Sequence, residues 1–352
     1  MDRIEIQGYK SIRQLHLELR PVNILIGANG SGKSNFLSFF DLLKNMYRQN
    51  LQEYVALRGG VDKFMHNGSK ITEEISAKLC LPPSGYSFTL KRGEKSFIIT
   101  DEEILYYKEH HTNSSFSTES NLRYDTNEIS KEIRNYFADL QRYHFHDTGE
   151  KSPFNTDSNI DNDHFFLYDR GQNIAALLYS ICNDHPITYQ LIVKTIQSIA
   201  PYFLDFFLRP DSNGNIRLRW QSRHSSIIYG VNDLSDGSIR FIALTVLFMQ
   251  PNLPKTIIID EPELGLHPAA IAKLSGMIKS AAAKGCQVIA ATQSTDLIAH
   301  FAPEDIIAVD QTSGESFFQR LNSETLQHWL EEFTLDDLWK RNIIHLGQIN
   351  HQ

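Results

Sequence analysis

The chain has 352 residues, 41% hydrophobic and 22% charged, which supplies a packed core and allows either one large α/β domain with an insertion or two domains. A formal net charge of -8 excludes a polycation, so contact with nucleic acid would need a local basic patch or a partner. Cys80, Cys182 and Cys286 stand far apart with no CxxC spacing, which argues against a disulfide framework and fits a reducing compartment.

The chain enters directly on the alternating Arg3-Ile4-Glu5-Ile6, so no signal peptide is expected. Residues 2–20 place Ile4, Ile6, Leu15, Leu17 and Leu19 on one side and predict two strands joined by Gly8-Tyr9-Lys10-Ser11. Val22–Ile26 is a short apolar strand of the buried kind, running into a glycine loop. From Asn35 to Tyr47 the residues Phe36, Leu37, Phe39, Phe40, Leu42, Leu43 and Met46 recur at helical spacing. Residues 71–107 alternate again, and breakers at Pro82-Pro83-Ser84-Gly85 and Arg92-Gly93 predict antiparallel hairpins. Residues 110–128 and 147–164 are rich in Ser, Thr, Asn and Asp and read as long exposed loops around an amphipathic helix over Ile129–Tyr143. Two more helices are expected over Asn173–Cys182 and Ile187–Phe207, the second disturbed by Pro201. Residues 216–231 return to strand, and Asp236–Phe248 is a helix. A buried strand at Thr256–Ile259, a helix at Ala269–Ala283 and buried strands at Gln287–Ala291 and Ile306–Val309 complete the series. No apolar run approaches the roughly 18 residues that span a bilayer, so the expected location is cytoplasmic.

Gly27-Ala28-Asn29-Gly30-Ser31-Gly32-Lys33-Ser34 is a phosphate-binding loop in the required context of strand, loop and helix. Its glycines let successive backbone N–H groups point inward around a β-phosphate, and the following helix adds its positive N-terminal end. Lys33 is expected on the β- and γ-phosphates, Ser34 on Mg²⁺, and Asn35 beside them in the ATP site. Ile257-Ile258-Ile259-Asp260-Glu261 supplies the other half. Asp260 at the strand's end would bind Mg²⁺ through water, and Glu261 would polarise the water that attacks the γ-phosphate. Such acidic strand ends are common, so the motif gains its meaning from the loop upstream. Leu234-Ser235-Asp236-Gly237-Ser238 opens a helix. Read alone, Ser235 or Asp236 is an N-cap; in this order of motifs it is a second anion site, serving another chain's ATP. Thr292-Gln293-Ser294 ends the strand expected beside Asp260, and Gln293 is either a γ-phosphate contact or part of a polar turn.

This order of motifs resembles the ABC-type ATPase heads of the RecF, SMC and OLD group, and more closely the stand-alone bacterial "AAA family ATPase" proteins within it. Tyr9-Lys10-Ser11-Ile12, Arg58-Gly59-Gly60, Gly171-Gln172-Asn173-Ile174-Ala175, the run DEPELGLHP from Asp260 to Pro268 and Leu335-Asp336-Asp337-Leu338-Trp339 extend the resemblance over nearly the whole chain. It implies an α/β P-loop NTPase of the ABC-head type with an antiparallel β lobe and a helical insertion. The parts would be 1–100 (phosphate loop and β lobe), 101–215 (a compact helical insertion without heptads) and 216–352 (the rest of the head). Ser235 and Gly237 would be the signature motif that docks on a partner's ATP, with Asp236 in place of the commoner Gly. Glu263–His267 would lie at the dimer interface, and Gln293 at the switch position where many relatives carry His. Two ATP molecules would then hold a homodimer together.

The function implied is a slow, regulatory ATPase that controls a separate effector, a nuclease or toxin, in anti-phage defence or DNA maintenance. No second catalytic constellation is visible in the sequence. His110-His111 and His144-Phe145-His146-Asp147 read as loop histidines rather than as a metal site. Arg217, Arg219, Arg223 and His224 are equally a DNA or RNA face and a solvated strand edge. The alternative is the energy subunit of a membrane transporter. The long interval from Lys33 to Asp260 and the DEPELGLHP run argue against it, as does the lack of an assignable aromatic stacking residue before the loop.

Overall fold

The computed structural model describes residues 1–94, 96–106, 109–114 and 116–341. The N-terminal alternation forms the hairpin of β1 (Arg3–Tyr9) and β2 (Ile12–Glu18), followed by β3 (Val22–Ile26), buried along its whole length. α1 (Lys33–Tyr47) and the short α2 (Leu51–Leu57) come next. β4 (Glu74–Leu81), β5 (Ser84–Arg92), β6 (Phe97–Tyr106) and β7 (Glu109–Ser114) precede α3 (Lys131–Ala138) and β8 (Gln141–Tyr143). The middle of the chain holds β9 (Ser158–Asn159), α4 (Ile174–Asp184), α5 (Pro186–Ile199) and β10 (Phe203–Phe206). β11 (Asn215–Ile216), β12 (Arg219–Ser222), β13 (Ile228–Gly230) and α6 (Asp236–Met249) follow. The rest runs through β14 (Thr256–Asp260), α7 (Pro268–Ala283), β15 (Gln287–Thr292) and α8 (Thr295–Ile298). It ends with β16 (Ile306–Thr312), β17 (Glu315–Arg320), α9 (Ser323–Leu330) and α10 (Leu335–Lys340).

These elements divide into two units. The first comprises Met1–Arg142, Lys255–Ile258 and the chain from Ile289 on; the second comprises Tyr143–Pro254 and Ile259–Val288. The expected insertion at 101–215 straddles this boundary, because residues 101–142 belong with the β lobe.

Two six-stranded sheets form among the described residues. One is antiparallel in the order β2-β1-β4-β5-β6-β7, and the other runs β17-β16-β3-β15-β14-β8. In the second sheet β3 pairs parallel with β16, setting Ile24 opposite Ile306 and Ile26 opposite Ala308, so the paired stretches Ile24–Ile26 and Ile306–Ala308 are apolar and buried. α1 buries the face that its periodicity marks. Phe36 and Phe40 meet edge to face at 5.4 Å, Phe39 stacks on Phe88 at 6.2 Å, and Tyr9 meets Phe39 at 5.2 Å. Each such ring removed from water contributes about 1.5–3 kcal/mol, which fixes the helix that carries the loop. Glu102 is fully buried and accepts hydrogen bonds from the Tyr86 hydroxyl (2.6 Å), Ser120 Oγ and the Asn121 N–H (3.3 Å). Burial, reinforced by Glu102, holds the Tyr86 phenol pKa well above the ordinary range. Arg142 pairs with Asp41 on α1 at 2.9 Å.

Two elements differ from the sequence reading here. The helix expected to Tyr143 ends at Ala138, and Gln141–Tyr143 becomes the edge strand of the second sheet, so pairing at a sheet edge overrides helical periodicity. Part of the expected loop at 110–128 is β7, paired with β6. The His110 and His111 side chains lie outside the described set.

In the second unit α5 stops at Ile199 instead of running to Phe207, and the chain turns into β10. Pro201 has no N–H to continue the helix and disfavours helical backbone before it, while Phe203 and Phe206 bury on a small sheet of order β10-β12-β13. The middle of the chain is therefore helix and strand together. The G-x-N segment has a local explanation. Asn173 caps α4 while fully buried; its Oδ1 accepts from the Tyr168 N–H, and its Nδ2 donates to the carbonyls of Asp163 and Phe166. That leaves the buried amide satisfied and fastens the loop before α4.

Candidate functional site

In the first unit, Gly27–Gly32 connects the buried β3 to α1. Gly32 caps α1 at φ 111°, a backbone that side chains rarely adopt, and a Cβ there would strike Ser316. A Cβ on Gly27 would lie 2.3 Å from the Val309 carbonyl, so the loop's entry is also closed to larger residues. Lys33 is buried, and its ammonium donates to the carbonyls of Gly27 (2.6 Å) and Ala28 (2.9 Å). Ala28, Asn29, Gly30 and Ser34 are exposed, while Ser31 is buried. The loop's middle is thus exposed at the positive end of a 15-residue helix.

Ser316 fastens the underside of this loop. Its hydroxyl donates to the Ser31 carbonyl (2.7 Å) and lies 2.8 Å from Ser11 Oγ, which accepts from Asn35 Nδ2 (2.7 Å). The Asn35 side chain, expected in the nucleotide site, thus bonds to the β1–β2 turn. Lys10 in the same turn donates to Ser38 Oγ (2.7 Å) and lies over the rings of Tyr9 and Phe64. An open recess of about 640 Å³ is lined by Lys10, Ser11, Asn35 and Lys63 among others. Neither Lys10 nor Ser316 was marked as functional by sequence; a 305-residue separation hides the Ser11–Ser316 bond from any local pattern.

Burial, with Arg58 second and Arg142 last against an opposing Asp41, lowers the Lys10 pKa from 10.5 to about 8. The folded state therefore binds fewer protons here than the unfolded state between about pH 8 and 10.5, and stability gains with rising pH across that window. Urea midpoints at pH 7.5 and 9.5 should show wild type gaining on Lys10→Met at the higher pH; parallel midpoints would refute the assignment.

Gln293 follows β15, which neighbours β3 in the second sheet, and is exposed. Thr292 is buried and its Oγ1 accepts from the Ser294 N–H (2.8 Å), while Ser294 Oγ caps α8.

In the second unit, Ser235 is the N-cap of α6, with its Oγ accepting from the Ser238 N–H (3.3 Å) and lying 2.9 Å from Ser238 Oγ. The N-cap expectation is met, with Ser235 and Asp236 exposed at the helix start. Glu261, immediately after β14, has φ 43°, a left-handed backbone unusual for a side chain of this size. The turn continues with Leu264 N–H donating to the Glu261 carbonyl (3.1 Å), and His267 caps α7 through Nδ1. Arg240 of α6 ties these parts together. Its guanidinium donates to the carbonyls of Leu264 (3.1 Å), Phe145 (3.2 Å) and His146 (3.1 Å), a link the sequence does not signal.

A Cβ on Gly237 would lie 2.5 Å from the Gly265 carbonyl, so α6 and the 261–267 turn meet backbone to backbone. Gly237→Ala is expected to cost about 1–3 kcal/mol as this contact is forced apart. Calorimetry checks it; an unchanged melting temperature would refute the close approach.

Of the four basic residues in the stretch 217–224, Arg223 and His224 are exposed. Arg217 pairs with Asp157, and Arg219 donates to the Arg209 carbonyl and lies over Phe207 at 5.0 Å. Among the described residues, no group of three or more His, Cys, Asp or Glu side chains could hold a metal ion, and no helix is long and apolar enough to cross a membrane.

Residues 22–299 match a family profile described as "AAA domain, putative AbiEii toxin, Type IV TA system". Similar solved structures include an SMC head bound to the C-terminal winged-helix domain of ScpA (TM-score 0.57, 15% identity, covering 93% of this chain and 99% of that one). Another is an SMC head with an extended coiled coil bound to the C-terminal domain of ScpA from Pyrococcus furiosus (TM-score 0.55, 16% identity, 94% and 98% covered). Among curated proteins, a putative ABC transporter ATP-binding protein of Streptomyces coelicolor is 33% identical over 78 residues, 22% of this chain and 14% of that protein.

Proposed function

Because the chain belongs to this AAA-domain family and has the fold of an SMC-type P-loop ATPase head, we propose that it binds and hydrolyses ATP with Mg²⁺ and dimerises around the nucleotide. The observation that carries this reading is the exposed Ser235 cap of α6 in a chain that has its own phosphate loop. One chain has one such loop, so a second helix start suited to phosphate serves another chain. In this reading Lys33 and the loop N–H groups hold the β- and γ-phosphates, and Ser34 and Asp260 are the Mg²⁺ ligands. Bound Mg²⁺ supplies charge neutralisation at the phosphates. Glu261 accepts the proton of the attacking water, Gln293 orients that water, and Ser235 and Gly237 close over the other chain's ATP.

The dimer is the output. ATP that touches both chains stabilises their association by mass action, and hydrolysis removes the bridging contacts. A separate effector, a nuclease or toxin, reads that state. This role in phage defence or DNA maintenance takes support from the family's toxin–antitoxin description. The short similarity to a transporter ATPase favours the alternative of an energy-coupling subunit, which would copurify with a permease. Light scattering on Glu261→Gln tests the dimer: two-chain mass with Mg-ATP and one-chain mass without it are expected. One-chain mass under both conditions would overturn the reading.

A further inference from the structure

Tyr202, just ahead of β10, reaches the first turn of α6. Its hydroxyl lies 3.1 Å from Ser238 Oγ, which lies 2.9 Å from Ser235 Oγ. The phenol is 39% exposed, yet its ring is held. It packs edge-on against Trp220 at 5.7 Å, and Trp220 stacks on Phe203 at 5.8 Å and on Tyr229 at 4.8 Å. The Trp220 indole N–H donates to the Gly230 carbonyl (2.9 Å), and the Arg223 N–H donates to the Tyr202 carbonyl (2.9 Å). The three-stranded sheet therefore presents one hydroxyl, rigidly, at the start of the signature helix.

A count of donors shows what three neighbouring hydroxyls can do. Each has one proton. With no anion present, two of the three protons are used within the row and one points out. An incoming phosphate oxygen group turns all three outward, beside the unsatisfied N–H groups of the helix start. A hydrogen bond between two exposed hydroxyls contributes little, so the row is readily given up for charged acceptors.

We infer that Tyr202 is a further phosphate-binding residue of the α6 surface, donating with Ser235 and Ser238 to the γ-phosphate of the ATP presented by a second copy of the chain. This rests on the ATP-bridged dimer proposed above. It gives the small sheet β10-β12-β13 a direct bond to the nucleotide.

The test is Tyr202→Phe in the Glu261→Gln background, a change that keeps the ring and removes only the hydroxyl. The midpoint protein concentration for ATP-dependent dimerisation, read by light scattering, is expected to rise at least tenfold, since a symmetric dimer loses the bond twice. Affinity of the dilute monomer for a fluorescent ATP analogue and the melting temperature should both stay unchanged. Ser238→Ala should act in the same direction, and the double variant should lose less than the product of the two. Dimerisation of Glu261→Gln/Tyr202→Phe at the parent's midpoint would overturn the inference, and so would a fall in melting temperature or monomer binding of similar size. Failure of Glu261→Gln itself to dimerise would instead overturn the underlying dimer.

Discussion

Lys33→Ala is expected to bind ATP about 10²–10⁴-fold more weakly than wild type, because two charge-assisted contacts of about 1.5–3 kcal/mol each are lost at roughly 1.4 kcal/mol per tenfold. The ammonium is buried and donates to the Gly27 and Ala28 carbonyls, so it is already drawn over the loop. Phosphate oxygens replace those carbonyls with fully charged acceptors, and the backbone need not rearrange for the exchange. Alanine removes the cation and also leaves the two carbonyls without their partner. Lys33→Arg separates these effects: it restores the charge but places a planar fork where a point charge fits, and should recover only part of the affinity. Titration with a fluorescent ATP analogue measures all three proteins. Binding by Lys33→Ala within threefold of wild type would remove this loop from the nucleotide site.

The strand, glycine loop and helix around Lys33 are plain in the sequence because their physics is local. They lie within the 26 residues from Val22 to Tyr47, so spacing alone marks them. The buried strands β3, β14, β15 and β16 were equally plain, since apolar runs of this length have few other uses. What stayed hidden depends on contacts distant in sequence. Ser316 beneath the loop, Arg240 across the 261–267 turn and Tyr202 against Ser238 each join segments that no periodicity connects. The middle of the chain was misjudged for a related reason. Ile187–Phe207 has helical apolar spacing throughout, but Phe203 and Phe206 serve a strand after Pro201, and the period cannot tell the two apart over four residues. Asn173 shows the complement: a motif quoted for its family resemblance also has a physical reason, since its amide satisfies backbone groups of its own loop.

Glu261→Gln is expected to lower ATP turnover by about 10²–10⁴-fold, the usual contribution of a positioned general base, while ATP affinity stays within a factor of two or so. The argument starts from the backbone. Glu261 is the first residue after β14 and sits at φ 43°, where a non-glycine side chain is strained by roughly 1–2 kcal/mol. The strand would continue extended by default, so the backbone turns at this residue. Glutamine has the same size and tolerates the same backbone, so only the capacity to accept a proton changes. Glu261→Gly provides the complement: it should be equally inactive but at least as stable in urea, because glycine adopts this backbone freely. An inactive glutamine variant with a glycine variant of unchanged or greater stability places the strain and the chemistry at one residue. Normal turnover in Glu261→Gln would refute the base, and marked destabilisation of Glu261→Gly would refute the strain.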